Sequence, residues 1–491
     1  MNTPIHDFVK AYVSSAPARF HMPGHKGRGP LGCEEWDLTE IPGADSLYEA
    51  DGILAESEQN ASRLFGCPTF YSTEGSSHCI RAMLLLAKAF PLGERRRPAS
   101  YACWMSEEGR ADARFRVLAA RNVHSSFLTA AALLDLDVVW LPLTDGSYLS
   151  AAVTPEALDA ALAETGASAV YLTCPDYLGF LPDLCPLAAV CHAHGALLLV
   201  DNAHGAYLRF LDPSRHPMDL GADLCCDSAH KTLPVLTGGA YLHLSEAVLR
   251  ALASAGSGAC GDARDCGVRS VRDALALFGS TSPSYLILQS LDLANPYLEA
   301  LPERLAAFLP RVEALKTRLC AAGWHLAGDE PLKLSLDLRA SSRIGRELAA
   351  ALERDGIFCE FADPDFIVFL LSPQNTAEEL ERLENALIRE VSARNPAETP
   401  QNQATVKGQM PTLDPPVCSL REAMLAPCER IPARESLGRV LARPGVSCPP
   451  AVPIRMPGER IDAEAVAAFA RYGIEECAVL PERAPGPDPA P

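Results

Sequence analysis

ALLLVDNAHGAYLRF occupies residues 196–210 and GADLCCDSAHK occupies residues 221–231. Each opens on a short apolar run and breaks into polar, chemistry-bearing residues: Asp201, Asn202 and His204 in the first, Ser228, His230 and Lys231 in the second. A brief apolar run without alternation, bounded by turn residues, reads as a strand covered on both faces. The pattern continues outward. CPTFYST (67–73), RFRVLAA (114–120), DVVWLPL (137–143), SAVYLT (168–173) and GAYLHL (239–244) are further candidate strands. Between them, SHCIRAMLLLAKAF, SSFLTAAALLDL, TPEALDAALAE and DLCPLAAVCHAHG carry apolar residues at three-to-four spacing. Strands and helices in this alternation predict an α/β fold with a mainly parallel, seven-stranded sheet.

The sheet belongs to a large domain at 46–296, preceded by an arm at 1–45. Residues 297–395 are rich in helix formers around KLSLDL and DFIVFLL and predict a smaller α+β domain. A polar, proline-dotted linker is expected at 396–417, a second small α+β domain at 418–480, and a disordered tail at 481–491. The composition agrees with a folded chain, since 48% of 491 residues are hydrophobic and 21% charged. A net charge of −19 argues against a broad nucleic-acid-binding surface, which needs concentrated positive charge. No run approaches the ~18 apolar residues of a membrane span, and MNTPIHDFVKAYVSS is too polar for a signal peptide. A cytoplasmic protein is expected. The 17 cysteines show no CxxC pair, so no metal site is expected and reduced thiols are the simplest reading. Cys185, Cys191, His192 and His194 fit a helix packed on a sheet better than a ligand set.

In open α/β sheets, ligands bind beyond the carboxyl ends of the strands. Gly75, Ser76 and Ser77 open a helix there, offering backbone N–H groups, hydroxyls and the positive dipole end to a phosphate. Asp201, ending a buried strand, asks for a cation such as a protonated pyridine nitrogen. His124 or His204 can lie flat on an aromatic ring. Lys231, beside His230, can form a Schiff base if burial and neighbouring cations depress its pKa. Phosphate, pyridinium, ring face and aldehyde together describe pyridoxal 5′-phosphate.

RFHMPGHKGR (19–28), RNVHSSF (121–127), CPDYLGFLPDL (174–184), DNAHGAY (201–207), SAHKTLP (228–234) and STSPSYLILQSLD (280–292) resemble the Orn/Lys/Arg decarboxylases. SLREAMLAPCERIPARESLGRVLA and CPPAVPIRMPGERI resemble that family's C-terminal domain. The resemblance implies the aspartate-aminotransferase-like fold (fold type I) of pyridoxal-phosphate enzymes, in a short form without an amino-terminal wing domain. It makes Lys231 the Schiff-base lysine, Asp201 the partner of the pyridine nitrogen, His124 the ring-stacking histidine and His204 a neighbour of the cofactor. Gly75, Ser76, Ser77, Ser228 and His230 fall where the family holds phosphate, and Thr281 and Ser282 in a segment that approaches it from a partner subunit. Glu74, His78, Asn202, Ala229 and the alanine of CPPAVP depart from the family pattern, which bears on the substrate rather than on the cofactor.

The implied reaction is decarboxylation of a basic L-amino acid to an amine of the polyamine class, arginine favoured over lysine or ornithine. The proton is returned by Lys231 or His230, and Asp45 or Glu459 receives the substrate's distal cation. A homodimer, or a multiple of it, with shared sites is expected. An aminotransferase or lyase would use the same Lys231 and Asp201 with an arginine on the α-carboxylate, for which Arg339 is the candidate; a non-catalytic homologue is the third reading.

Overall fold

The computed structural model describes residues 1–90, 115–141, 147–255, 263–341, 343–392, 415–445 and 450–482. Seven strands, β1 (Thr69–Ser72), β2 (Arg116–Ala119), β3 (Asp137–Trp140), β4 (Ala169–Thr173), β5 (Leu197–Asp201), β6 (Leu224–Asp227) and β7 (Ala240–Leu244), form one sheet. Its order is β1-β7-β6-β5-β4-β2-β3, with β2 to β6 paired parallel and β7 antiparallel to both neighbours. All seven candidate strands are present, each trimmed at its ends.

Helices α1 (Pro4–Ser14) and α2 (Ile53–Phe65) precede the sheet; α3 (Gly75–Ala89), α4 (Ser125–Leu134), α5 (Pro155–Thr165), α6 (Leu184–Ala193) and α7 (Ala229–Thr232) alternate with its strands. The side chains of β5 explain why its sequence does not alternate. Leu199 packs with Ile80, Met83 and Phe127 from α3 and α4, whereas Leu198 and Val200 pack with Leu158 and Leu187 from α5 and α6. Each fully buried leucine contributes about 1.5–3 kcal/mol relative to exposure, so both faces must be apolar. Thr154 caps α5 and Asp183 caps α6 through backbone N–H groups.

Next come α8 (Glu246–Ala255), α9 (Ala263–Ala276), α10 (Tyr285–Glu299) and α11 (Leu301–Ala321), then a four-stranded antiparallel sheet with α12 (Gly345–Arg354) and α13 (Ala377–Ser392). Its strands are β8 (His325–Ala327), β9 (Lys333–Asp337), β10 (Phe361–Ala362) and β11 (Phe366–Leu370), in the order β10-β11-β9-β8. The expected strands KLSLDL and DFIVFLL are its centre; β8 and β10 are too short to leave a periodic signal. The C-terminal segment contains α14 (Leu420–Leu425), β12 (Glu429–Pro432), α15 (Ala463–Tyr472) and β13 (Glu476–Val479). It touches both preceding units: Arg421 donates to the carbonyls of Ala132 and Leu133 at the end of α4, and Tyr472 donates to Asp365 at 2.8 Å.

Residues 396–414 of the expected linker and 483–491 of the expected tail lie outside the described residues. Thirteen described cysteines are free thiols, but Cys266 is disulfide-bonded, which corrects the expectation of reduced thiols throughout.

Candidate active site

The loops after β1, β2, β5 and β6 meet at one end of the sheet. Gly75 starts α3 with φ +73°, a left-handed conformation that glycine adopts without strain, and its N–H donates to the Gly238 carbonyl at 2.7 Å. A Cβ built there would meet nothing within 4 Å, so the helix end faces open space. Four hydroxyls surround it: Ser228 Oγ is 2.7 Å from Ser76 Oγ, and Ser77 Oγ is 2.6 Å from Ser126 Oγ. Ser126 was not singled out from sequence, although it lies inside RNVHSSF.

Asp201 is 2% exposed at the end of β5. Its carboxylate accepts from Tyr171 Oη at 3.2 Å and from the Ala203 N–H at 3.2 Å, and burial keeps the Tyr171 phenol protonated. Among the described residues no Lys, Arg or His nitrogen forms an ion pair with it. A buried carboxylate held by neutral donors alone is costly unless a cation joins it.

Lys231, on the short helix α7 after β6, places Nζ 3.0 Å from His204 Nε2. His204 is buried, and burial, reinforced by Lys231 and Lys333, holds its imidazole well below the ordinary pKa. Its Nδ1 is a buried atom with no partner among the described residues. Tyr177 meets the His204 ring edge-on at 5.3 Å. His124 caps α4, its Nδ1 accepting the Ser126 N–H at 3.1 Å; burial lowers its pKa, and the charges of Asp201 and Lys231 both reach it. His230 is tied to the Gly239 carbonyl through Nδ1 at 3.1 Å, and burial lowers its pKa. Neutral His230 therefore donates from Nδ1 and offers Nε2 only as an acceptor.

Thr281 and Ser282 are exposed, in a segment drawn to the head of α3 by Glu74, whose Oε1 accepts the Ser280 N–H at 2.6 Å. His78 is structural in this chain: fully buried, with Nδ1 2.8 Å from Ser72 Oγ and Nε2 2.8 Å from the Leu275 carbonyl.

The two substrate carboxylates are not placed as the sequence reading expected. Both oxygens of Glu459 are engaged by Arg121, at 2.7 Å each, with both side chains 4% exposed. Asp45 accepts the N–H groups of Asp51, Gly52 and Leu54 at 2.8–3.2 Å and secures the start of α2. Arg339, the candidate clamp of an aminotransferase, pairs with Asp337, the last residue of β9, at 2.7 Å. His192 and His194 pair separately with Asp223 and Asp159, so they do not converge on a metal site. A metal-capable group that sequence reading missed is His216, Asp227 and His243, buried, with each histidine Nε2 3.1 Å from Asp227 Oδ2. With Asn202 donating to Oδ1 at 2.6 Å, Asp227 is satisfied by hydrogen bonds and anchors the strand end before Ser228.

The open helix terminus ringed by hydroxyls, the buried carboxylate lacking a cation and the lysine against an underprovided histidine fit pyridoxal 5′-phosphate. Gly75, Ser76, Ser77 and Ser228 would hold its phosphate, Asp201 its ring nitrogen and Lys231 its aldehyde carbon.

This arrangement on a seven-stranded, mainly parallel sheet defines a pyridoxal-phosphate enzyme of fold type I. The family model for the Orn/Lys/Arg decarboxylase major domain matches residues 108–326. An arginine decarboxylase of Bacillus subtilis is 27% identical over 94% of this chain and 92% of its own length. An uncharacterized Bacillus subtilis protein, YaaO, is 28% identical over 96% and 94%. Among solved structures, lysine decarboxylase A of Pseudomonas aeruginosa superposes with a TM-score of 0.72 at 18% identity, covering 96% of this chain and 75% of its own. These matches support the Orn/Lys/Arg decarboxylase family for this chain and, with it, a pyridoxal-phosphate-dependent amino acid decarboxylase.

Proposed function

We propose that the protein removes carbon dioxide from a basic L-amino acid, arginine ahead of lysine and ornithine, and releases the corresponding amine. The observation that carries this reading is Lys231 Nζ set 3.0 Å from a neutral His204 in the pocket closed by Asp201. The names of the curated relatives support arginine.

Pyridoxal phosphate, when bound, supplies a sink for the electrons left as carbon dioxide departs. The protein's part is electrostatic and protonic. Asp201 keeps a fixed negative charge where the ring nitrogen would sit, and Tyr171 and the Ala203 N–H prevent it from turning away. The end of α3 and its hydroxyls anchor the phosphate, and His124 bounds the pocket beside Asp201. Lys231 is the group that returns a proton to the reacting carbon, because His230 spends its N–H on Gly239 and is held neutral.

The same reading includes a cytoplasmic homodimer whose pockets are completed across the subunit boundary, in a route that makes polyamines. Phe20, Met22 and Leu31 of the arm are 94%, 64% and 82% exposed, apolar surface that a second copy would cover. Among the described residues no helix is long and apolar enough to cross a membrane.

The deciding experiment incubates the purified protein with pyridoxal phosphate and a panel of amino acids, measuring carbon dioxide and amine together. Amine and carbon dioxide in equal amounts from arginine are expected. Keto acid without carbon dioxide would replace this reading with an aminotransferase.

A further inference from the structure

Engagement of Glu459 by Arg121 and of Asp45 by backbone N–H groups leaves the substrate's distal cation without either expected acceptor. We propose that Glu360, in the segment between α12 and β10, is the carboxylate that receives this cation and sets the preference for basic substrates. The proposal rests on the decarboxylase reading above and names the distal end of the same site.

Position comes first. Glu360 Oε1 accepts from Tyr177 Oη at 3.2 Å, and Tyr177 meets the ring of His204, which in turn faces Lys231. A continuous line of contacts thus runs from the reacting lysine to this carboxylate. Phe361 packs edge-on against Tyr177 at 5.3 Å and holds the phenol in that line. The charge of Glu360 also reaches His230 and Lys333, placing it among the groups that surround the pocket.

Availability comes second. Glu360 is half-buried and lines a cavity of about 520 Å³ between the small sheet and the C-terminal segment. Lys231, His204 and Asp201 are not on its wall; Tyr177 connects Glu360 to them, and Arg346 on the same wall donates to the Tyr472 carbonyl. The hydrogen bond to Glu360 comes from a neutral phenol, and among the described residues Glu360 forms no ion pair. The other cavity acids are differently placed. Asp363 accepts the N–H groups of Asp365 and Phe366 at 2.7 Å, and burial raises its pKa to about 6. Glu353 is exposed on α12. The buried Lys333 feels Glu360 more weakly than it feels Glu330 and Asp176, and its ammonium donates to the Asp176 carbonyl at 3.0 Å rather than to Glu360.

Chemistry comes third. A carboxylate held at one oxygen by a phenol, with an apolar wall of Phe361 and Val452 beside it, suits an alkyl chain ending in a cation. A guanidinium gains from paired contacts with both oxygens, and an ammonium gains less.

The test compares wild type, Glu360→Gln, Glu360→Asp and Tyr177→Phe, each loaded with pyridoxal phosphate, on arginine, lysine, ornithine and the uncharged norleucine. Agmatine binding by calorimetry supplies a readout separate from turnover. In Glu360→Gln, kcat/KM for the basic amino acids should fall roughly 10- to 100-fold, mainly through KM, with a parallel loss of agmatine affinity. Norleucine turnover should stay unchanged, and Glu360→Asp should recover part of the loss. Should Glu360→Gln fail to fold, Tyr177→Phe, which keeps the charge but frees the carboxylate, should raise KM for arginine more than for norleucine. Equal loss on norleucine and arginine, or no loss on arginine, would overturn the assignment while leaving the decarboxylase reading in place. A wild type that released carbon dioxide from no basic amino acid would remove that reading and this assignment with it.

Discussion

Arg121 and Glu459 face each other through two parallel hydrogen bonds of 2.7 Å, both side chains almost fully buried and 338 residues apart in sequence. The pair joins the loop that carries His124 to the C-terminal segment, where Glu459 also accepts the Met456 N–H at 3.0 Å. It ties the two segments together.

Removing one partner of such a pair strands a buried charge. Glu459→Gln should therefore destabilise the protein by about 3–5 kcal/mol, read from its denaturant midpoint. If Glu459→Gln kept full stability and lost only affinity for arginine, Glu459 would be a substrate group after all.

Lys231→Ala should abolish the borohydride-trapped cofactor adduct. It should also lower turnover by at least the roughly 10²–10⁴-fold typical of losing a positioned acid or base. Peptide mapping of the reduced holoenzyme provides the check; an adduct at another lysine would reassign the site.

Asp201→Asn should separate binding from chemistry. The phosphate and lysine anchors remain, so cofactor absorbance should persist. Turnover should fall by something like 10²–10³-fold because the preorganised charge is gone. Near-normal turnover would show that the ring nitrogen lies elsewhere.

His204 links pH to stability. Its folded pKa lies well below the usual histidine value because the ring is buried beside Lys231. The unfolded chain therefore binds a proton that the folded chain refuses as pH falls below about 6.5, and stability is lost in that window. Its contribution is complete above pH 6.5. The difference in thermal midpoint between wild type and His204→Gln should accordingly shrink as pH drops from 7 to 5. A pH-independent difference would mean that His204 titrates normally.

Much of this molecule is legible in local pattern. Two-sided burial requires unbroken apolar runs such as LLLV, and the polar residues that follow each run must lie at the strand ends; hence the seven strands, and the strand-end placement of Gly75, Ser76, Ser77, Asp201, Ser228 and Lys231, could be read without coordinates. The departures Glu74 and His78 show where that reading thins. Their identities are visible, but only the fold reveals that one reaches Ser280 and the other is locked between Ser72 and Leu275.

How each carboxylate is engaged was decided by tertiary structure alone. Sequence assigns Asp45, Glu360 and Glu459 the same charge, and nothing local distinguishes an acid that caps a helix, one that meets an arginine 338 residues away and one that accepts from a phenol. Strands and turns follow from interactions a few residues long. The choice among acids depends on which groups long-range packing brings within hydrogen-bond distance, and a periodicity of two or 3.6 residues carries no trace of that.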